Sequence, residues 1–120
     1  MEQFTPEEQQ QSIEAFRSII RKSENALARM KSGTPQTNLL EKRLKAARIG
    51  EDVLHARWKG KELTVSKDEL LAAKVVLEGL LLMLPSFLEK TKPGSGQRTY
   101  IERRIKAFQI VISYLDEEVN

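Results

Sequence analysis

The sequence predicts an all-α protein, a four-helix bundle built from two tandem helical hairpins. Three observations carry that prediction. Apolar residues recur in three- and four-residue steps along the chain, the stripe of a helix with one buried face. Helix-start signals stand at the head of those stretches. The chain also repeats itself at an offset of 61 residues, without a gap. Between Leu27 and Leu54, ten of 28 aligned positions are identical: Leu27/Leu88, Lys31/Lys92, Gly33/Gly94, Gln36/Gln97, Glu41/Glu102, Arg43/Arg104, Lys45/Lys106, Ala46/Ala107, Ile49/Ile110 and Leu54/Leu115. Amphipathic periodicity alone does not account for matches in a loop, at Gly33 and Gln36, so an internal duplication is expected.

The first helix is expected over about 5–32. Thr5 with Glu8 is a capping box, Pro6 suits the first helical position, and Gly33 suits the left-handed residue past the helix end. Its seam is Ile13, Phe16, Ile20, Ser23, Leu27 and Met30. The second helix, about 38–59, has Asn38 and Glu41 as a looser cap and a seam of Leu40, Leu44, Ala47, Glu51, Leu54 and Trp58. Ser66 with Glu69 repeats the capping box at the start of the third, about 66–90, where Pro85 is expected to kink or end the helix. The fourth, about 99–119, opens on Thr99 with Glu102 and carries Ile101, Ile105, Phe108, Ile112 and Leu115. Residues 1–59 are then one hairpin, 60–65 a linker and 66–120 the second hairpin, in a single domain.

Composition bounds the function. A chain of 120 residues, 40% hydrophobic and 31% charged, suits one globular domain. There is no cysteine, which excludes disulfides and thiolate metal sites and suits a reducing cytoplasm. The start, MEQFTPEEQQQ, lacks the basic and apolar regions of a signal peptide. The most apolar stretch, Leu70 to Leu84, contains Lys74 and Glu78 and falls short of the roughly 20 apolar residues of a membrane span. No membrane association is expected.

The repeat makes the halves comparable, and they differ on one face. Gln10, Gln11, Glu14, Ser18, Arg21 and Lys22 of the first helix correspond to Leu71, Ala72, Val75, Gly79, Leu82 and Met83 of the third. At about 100° per residue, Leu71, Val75, Gly79 and Leu82 form a stripe opposite the core stripe of Leu70, Leu77, Leu81, Leu84 and Leu88. A bundle buries one face of each helix, so a second apolar face needs a cover. One cover is the 60–65 linker with Trp58. Others are the chain's own tail and a protein partner on Leu71, Val75, Gly79, Leu82 and Met83, most simply a second copy of the chain. Gln10, Glu14, Ser18 and Arg21 are expected in water.

Two further groups bear on chemistry. The net charge of +3 equals the excess of segment 34–65, which holds seven basic and four acidic residues. Within it Lys42, Lys45, Arg48, Arg57, Lys59 and Lys61, interleaved with Trp58, form the alternative, a nucleic-acid-binding module. His55 is the only histidine. With Asp52 it makes D-x-x-H, the spacing of di-iron bundles, but the corresponding Ser113 and Asp116 supply no second site. His55 also opens H-A-R-W-K-G, which resembles the phosphoacceptor region of histidine phosphotransfer domains. That resemblance implies an exposed phosphoaccepting histidine on a four-helix bundle. The lysine and glycine that follow it stand one residue later here than in that family.

Glu51 occupies a seam position filled by Ile112 in the other half. It is expected either to be paired, with His55 one turn on, or to mark a locally open core, and replacement by Ile is expected to leave stability unchanged or raise it by about 1 kcal/mol. No Gly-rich phosphate loop, nucleophile–base set or metal cluster appears. The expectation is a cytoplasmic interaction or regulatory protein, without enzymatic activity, metal or cofactor, acting as a homodimer through its second hairpin.

Overall fold

The computed structural model describes residues 3–120. Four helices follow in order: α1 (Pro6–Leu27), α2 (Pro35–Lys59), α3 (Lys67–Glu89) and α4 (Gly96–Val119). There is no strand among the described residues. α1 and α2 run antiparallel, since Arg17 meets Glu51 while Glu24, two turns on, meets Arg48. α3 and α4 do the same, with Lys74 on Asp116 and Arg98 reaching the Leu88 carbonyl. Between hairpins, α2 packs on α3 and α1 on α4, and α2 also meets α4.

The hairpins lie across each other. The molecule is a slab of 43 × 40 × 21 Å, about two helices thick but as wide as a helix of this length, ~37 Å, is long. The linker explains the crossing. Gly60 turns left-handed at φ 69° and caps α2, sending the chain back along that helix. Leu63 and Val65 pack on the core on the way, so that Glu69, at the start of α3, reaches Lys45 in mid-α2.

Phe16 and Phe108 fill the centre, their ring centroids 5.4 Å apart, among Val53, Leu54, Leu77, Val111 and Leu115. The burial of α2 is broader than its seam predicts: Ala46, Ile49, Gly50 and Val53 are buried beside Leu44, Ala47 and Leu54. On α4, Ala107, Ile110 and Val111 join Phe108 and Leu115, while Ile105 and Ile112 are half-buried. Both helices bury an added strip because they meet across the diagonal. Glu51 consequently sits at the core margin.

Helix boundaries differ from expectation in three places. α1 ends at Leu27, its last residues unwinding through three-residue turns at Arg29 and Met30. Gly33 (φ 84°) lies beyond them and turns the chain into the next cap. α2 is capped by Thr34, not Asn38, and α4 by Ser95, not Thr99. Thr34 receives the Thr37 N–H at 3.1 Å, and Pro35 follows at the first helical position. Pro85 does not end α3, which runs on to Glu89. The ring is exposed there, on the side where water can satisfy the carbonyl it leaves without a donor.

The caps and one ion pair recur at 61 residues. Thr5 and Ser66 cap α1 and α3, and Thr34 and Ser95 cap α2 and α4. Glu8, in the α1 capping box, is bound by Lys106; Glu69, whose N–H Ser66 accepts, is bound by Lys45. Lys45 and Lys106, like Glu69 and Glu8, stand 61 residues apart, the same offset as the caps. Arg57 binds Glu118, the residue 61 positions on.

Candidate functional site: the outer face of α3

α3 turns Leu70, Ala73, Leu77 and Leu84 into the core. Its opposite side is bare. Leu71 is 41% exposed, Val75 68%, Leu82 83% and Met83 47%. Gly79 lies between them with nothing within 4 Å of where a side chain would begin. Phe87, one turn past Met83, is also exposed. The sequence offered the linker and Trp58 as a cover within the chain, and neither serves. The linker lies against Asp52 and His55. Trp58 packs instead edge-on to Phe4 and Tyr114, its indole N–H donating to the Tyr114 hydroxyl at 3.0 Å.

The corresponding face of α1 is polar. Gln10, Glu14 and Arg21 are exposed as expected. Ser18 is not: it is buried, and its hydroxyl lies 2.7 Å from that of Tyr100. α4 leans over α1 at this point, and Tyr100 covers Ser18.

α3 is also the one helix among the described residues long and apolar enough to cross a membrane by length and composition. That stretch exceeds the Leu70–Leu84 run on which the sequence expectation rested. Its inward residues belong to the bundle core, and Lys74 is ion-paired to Asp116.

The basic residues of segment 34–65 do not form one patch. Lys45 binds Glu69, Arg48 binds Glu24 at 2.6 Å, and Arg57 binds Glu117 and Glu118 at 2.5 and 2.9 Å. The acids come from α1, α3 and α4, so the charge excess of the segment is cancelled in space. Burial works against the Arg57 cation, but its two glutamates hold its pKa above the ordinary value. Arg48 and Arg57, nine residues apart, point to opposite sides of α2. Lys42, Lys59 and Lys61 are exposed and make no ion pair among the described residues. Trp58, the aromatic of that reading, is half-buried in its own cluster.

His55 is not a surface residue. Its side chain is 13% exposed, Nε2 lies 3.1 Å from the Glu51 carboxylate, and Nδ1 is buried without a partner. An accessible phosphoacceptor needs an open ring nitrogen, and neither is open. Glu51 also accepts from Arg17 Nε at 2.8 Å, a partner the sequence did not reveal. Burial pushes the Glu51 carboxyl up, but the hydrogen bonds from Arg17 and His55 outweigh it and hold the pKa below 4.5. Burial, with Glu51 beside it, pushes Asp52 up. No three acidic or histidine side chains among the described residues are placed to hold a metal.

A second cluster escaped the sequence altogether. The Tyr100 hydroxyl meets Ser18, Lys22 Nζ at 2.9 Å, and Arg104. Burial opposes ionisation of the phenol, but these hydrogen bonds and the two cations bring its pKa below the ordinary 10. Lys22 and Arg104 flank the ring at 4.6 and 4.7 Å from its centroid. The only sequence signal was the identity Arg43/Arg104, and it named neither partner.

Neither a protein-family model, nor a curated protein, nor a solved structure matches this chain.

Proposed function

We propose that the protein is a cytoplasmic interaction module that associates with a second copy of itself through the outer face of α3. The observation that supports this is the bare stripe of Leu71, Val75, Gly79, Leu82 and Met83 on a helix whose other side is in the core. Leaving a Leu or Val in water forgoes roughly 1.5–3 kcal/mol per side chain compared with full burial. A twofold contact covers both copies of the stripe at once, because such an interface is self-complementary. Gly79, without a side chain, lets the partner backbone come close. An internal duplication is part of the proposal: both hairpins descend from one, and only the second acquired an apolar outer face. The recurrence of the caps and of one ion pair at 61 residues supports it.

The test is mass by light scattering. Wild type is expected at twice the 13.7 kDa of the chain, and Leu71→Glu with Leu82→Arg at that of one chain, with helical circular dichroism unchanged. Val75→Lys, at a more exposed position than Leu71, is the second variant should the double one unfold. A monomeric wild type at high concentration refutes the dimer. If wild type floats with lipid vesicles and the variants do not, the face is a membrane-binding surface and the proposal fails.

A further inference from the structure

Beside the Tyr100 cluster, a cleft of about 280 Å³ opens between the four helices. Its floor is Ile19, Leu40, Leu80, Leu84 and Phe108, and Lys22, Arg43 and Arg104 stand around it. None of these three cations forms an ion pair among the described residues, whereas Lys45, Arg48, Arg57, Lys74 and Lys106 all do. Arg104 is the most demanding of them. Its Nε is buried with no hydrogen-bond partner, and its hydrogen-bonding group is the Tyr100 hydroxyl, not a carboxylate. Burial, the largest influence on the Arg104 cation, pulls its pKa below the ordinary value.

We infer that this cleft binds a small amphipathic anion, a medium-chain fatty acid, with its carboxylate among Lys22, Arg43 and Arg104 and its chain on the apolar floor. The carboxylate supplies the negative charge these cations lack and an acceptor for guanidinium N–H groups. The chain covers Ile19, Leu40, Leu80 and Leu84 and asks for no polar partner along its length. An inorganic phosphate leaves that floor wet. A nucleotide brings a base and a sugar whose polar edges the floor cannot satisfy. The volume falls just below the range of drug-sized sites, roughly 300–1,000 Å³, which suits a single unbranched chain. Met83 and Phe87 form part of the cleft wall, so the cleft borders the proposed dimer face; repeating the titration on the Leu71→Glu, Leu82→Arg variant, whose changed residues lie outside the cleft, separates the two proposals.

The experiment is calorimetric titration of the full chain with sodium decanoate below its micellar range, beside decanol, inorganic phosphate and anionic lipid vesicles. Saturable binding of decanoate is expected, with decanol and phosphate each at least about tenfold weaker, because each lacks one half of the recognition. Arg43→Glu, which breaks no hydrogen bond or ion pair in the structure, is expected to weaken decanoate about tenfold or more with the fold intact. Leu80→Ser is the tail-side variant and is expected to weaken decanoate while leaving phosphate unchanged. No saturable decanoate binding overturns the inference. So does decanol matching decanoate, which makes the cleft merely greasy, or decanoate binding that Arg43→Glu leaves unchanged. Binding confined to vesicles assigns the cations to a membrane surface and overturns it too.

Discussion

Gly50 and Gly79 both lie inside helices, and the structure assigns alanine opposite effects at the two. A Cβ on Gly50 would lie 2.9 Å from Phe16 Cδ1 and 3.0 Å from Cζ, with Cε1 closer still. The ring cannot step aside, because Phe16 is 0% exposed and its other side meets Phe108. Helix propensity favours alanine over glycine by about 1 kcal/mol, while overpacking a filled core costs about 1–3 kcal/mol. Gly50→Ala should therefore lower stability by up to about 2 kcal/mol. At Gly79 nothing lies within 4 Å, so the propensity gain of about 1 kcal/mol stands alone in the monomer. The two variants should differ by about 1–3 kcal/mol in urea unfolding at constant slope. Measurements belong at a concentration where the chain is monomeric, since the same alanine obstructs the partner in the proposed dimer. Equal stability of the two variants would refute the claim that Gly50 exists to admit Phe16.

Glu51→Ile, expected from the sequence to be neutral or stabilising, should instead cost about 1–2 kcal/mol, because it leaves His55 with neither nitrogen bonded. Adding His55→Leu should recover most of the loss, and a neutral single variant in chemical denaturation contradicts this account. Acid should weaken the fold through the helix caps. The hydrogen bond from Lys106, then that from the Thr5 N–H, brings the Glu8 pKa from 4.5 to about 2, and Ser66 and Lys45 lower that of Glu69. Folded values below the unfolded 4.5 mean that this stability is complete above pH 4.5 and lost as pH falls toward about 2. Urea midpoints across that window should therefore fall, and Glu8→Gln should flatten the decline.

Much of the fold is written locally. Thr5-Pro6 and Ser66 mark the starts of α1 and α3, and the spacing of Ile13, Phe16, Leu70 and Leu77 marks their inner faces. The bare stripe of α3 was legible for the same reason, since a helix with two apolar faces announces itself in one dimension. Thr34-Pro35 repeats the signal of Thr5-Pro6, and it prevails over Asn38 and Glu41 one turn later. The crossing of the hairpins was not legible, because a left-handed Gly60 redirects everything after it. Ser18 and Tyr100 stand 82 residues apart, and nothing local joins them. Charge misled for a related reason: the excess of segment 34–65 is a property of the string, whereas Glu24, Glu69, Glu117 and Glu118 cancel it in space.

The exchanged pairs Lys45–Glu69 and Lys106–Glu8 bear on how the protein comes apart. Each glutamate secures the first turn of a helix in its own hairpin and is gripped by a lysine of the other. Phe16 and Phe108 bind the same two halves at the centre. A hairpin that melts withdraws a lysine from its neighbour's helix start and half of the aromatic pair from its core. Unfolding is therefore expected to be one cooperative transition, with helical circular dichroism and Trp58 fluorescence lost together.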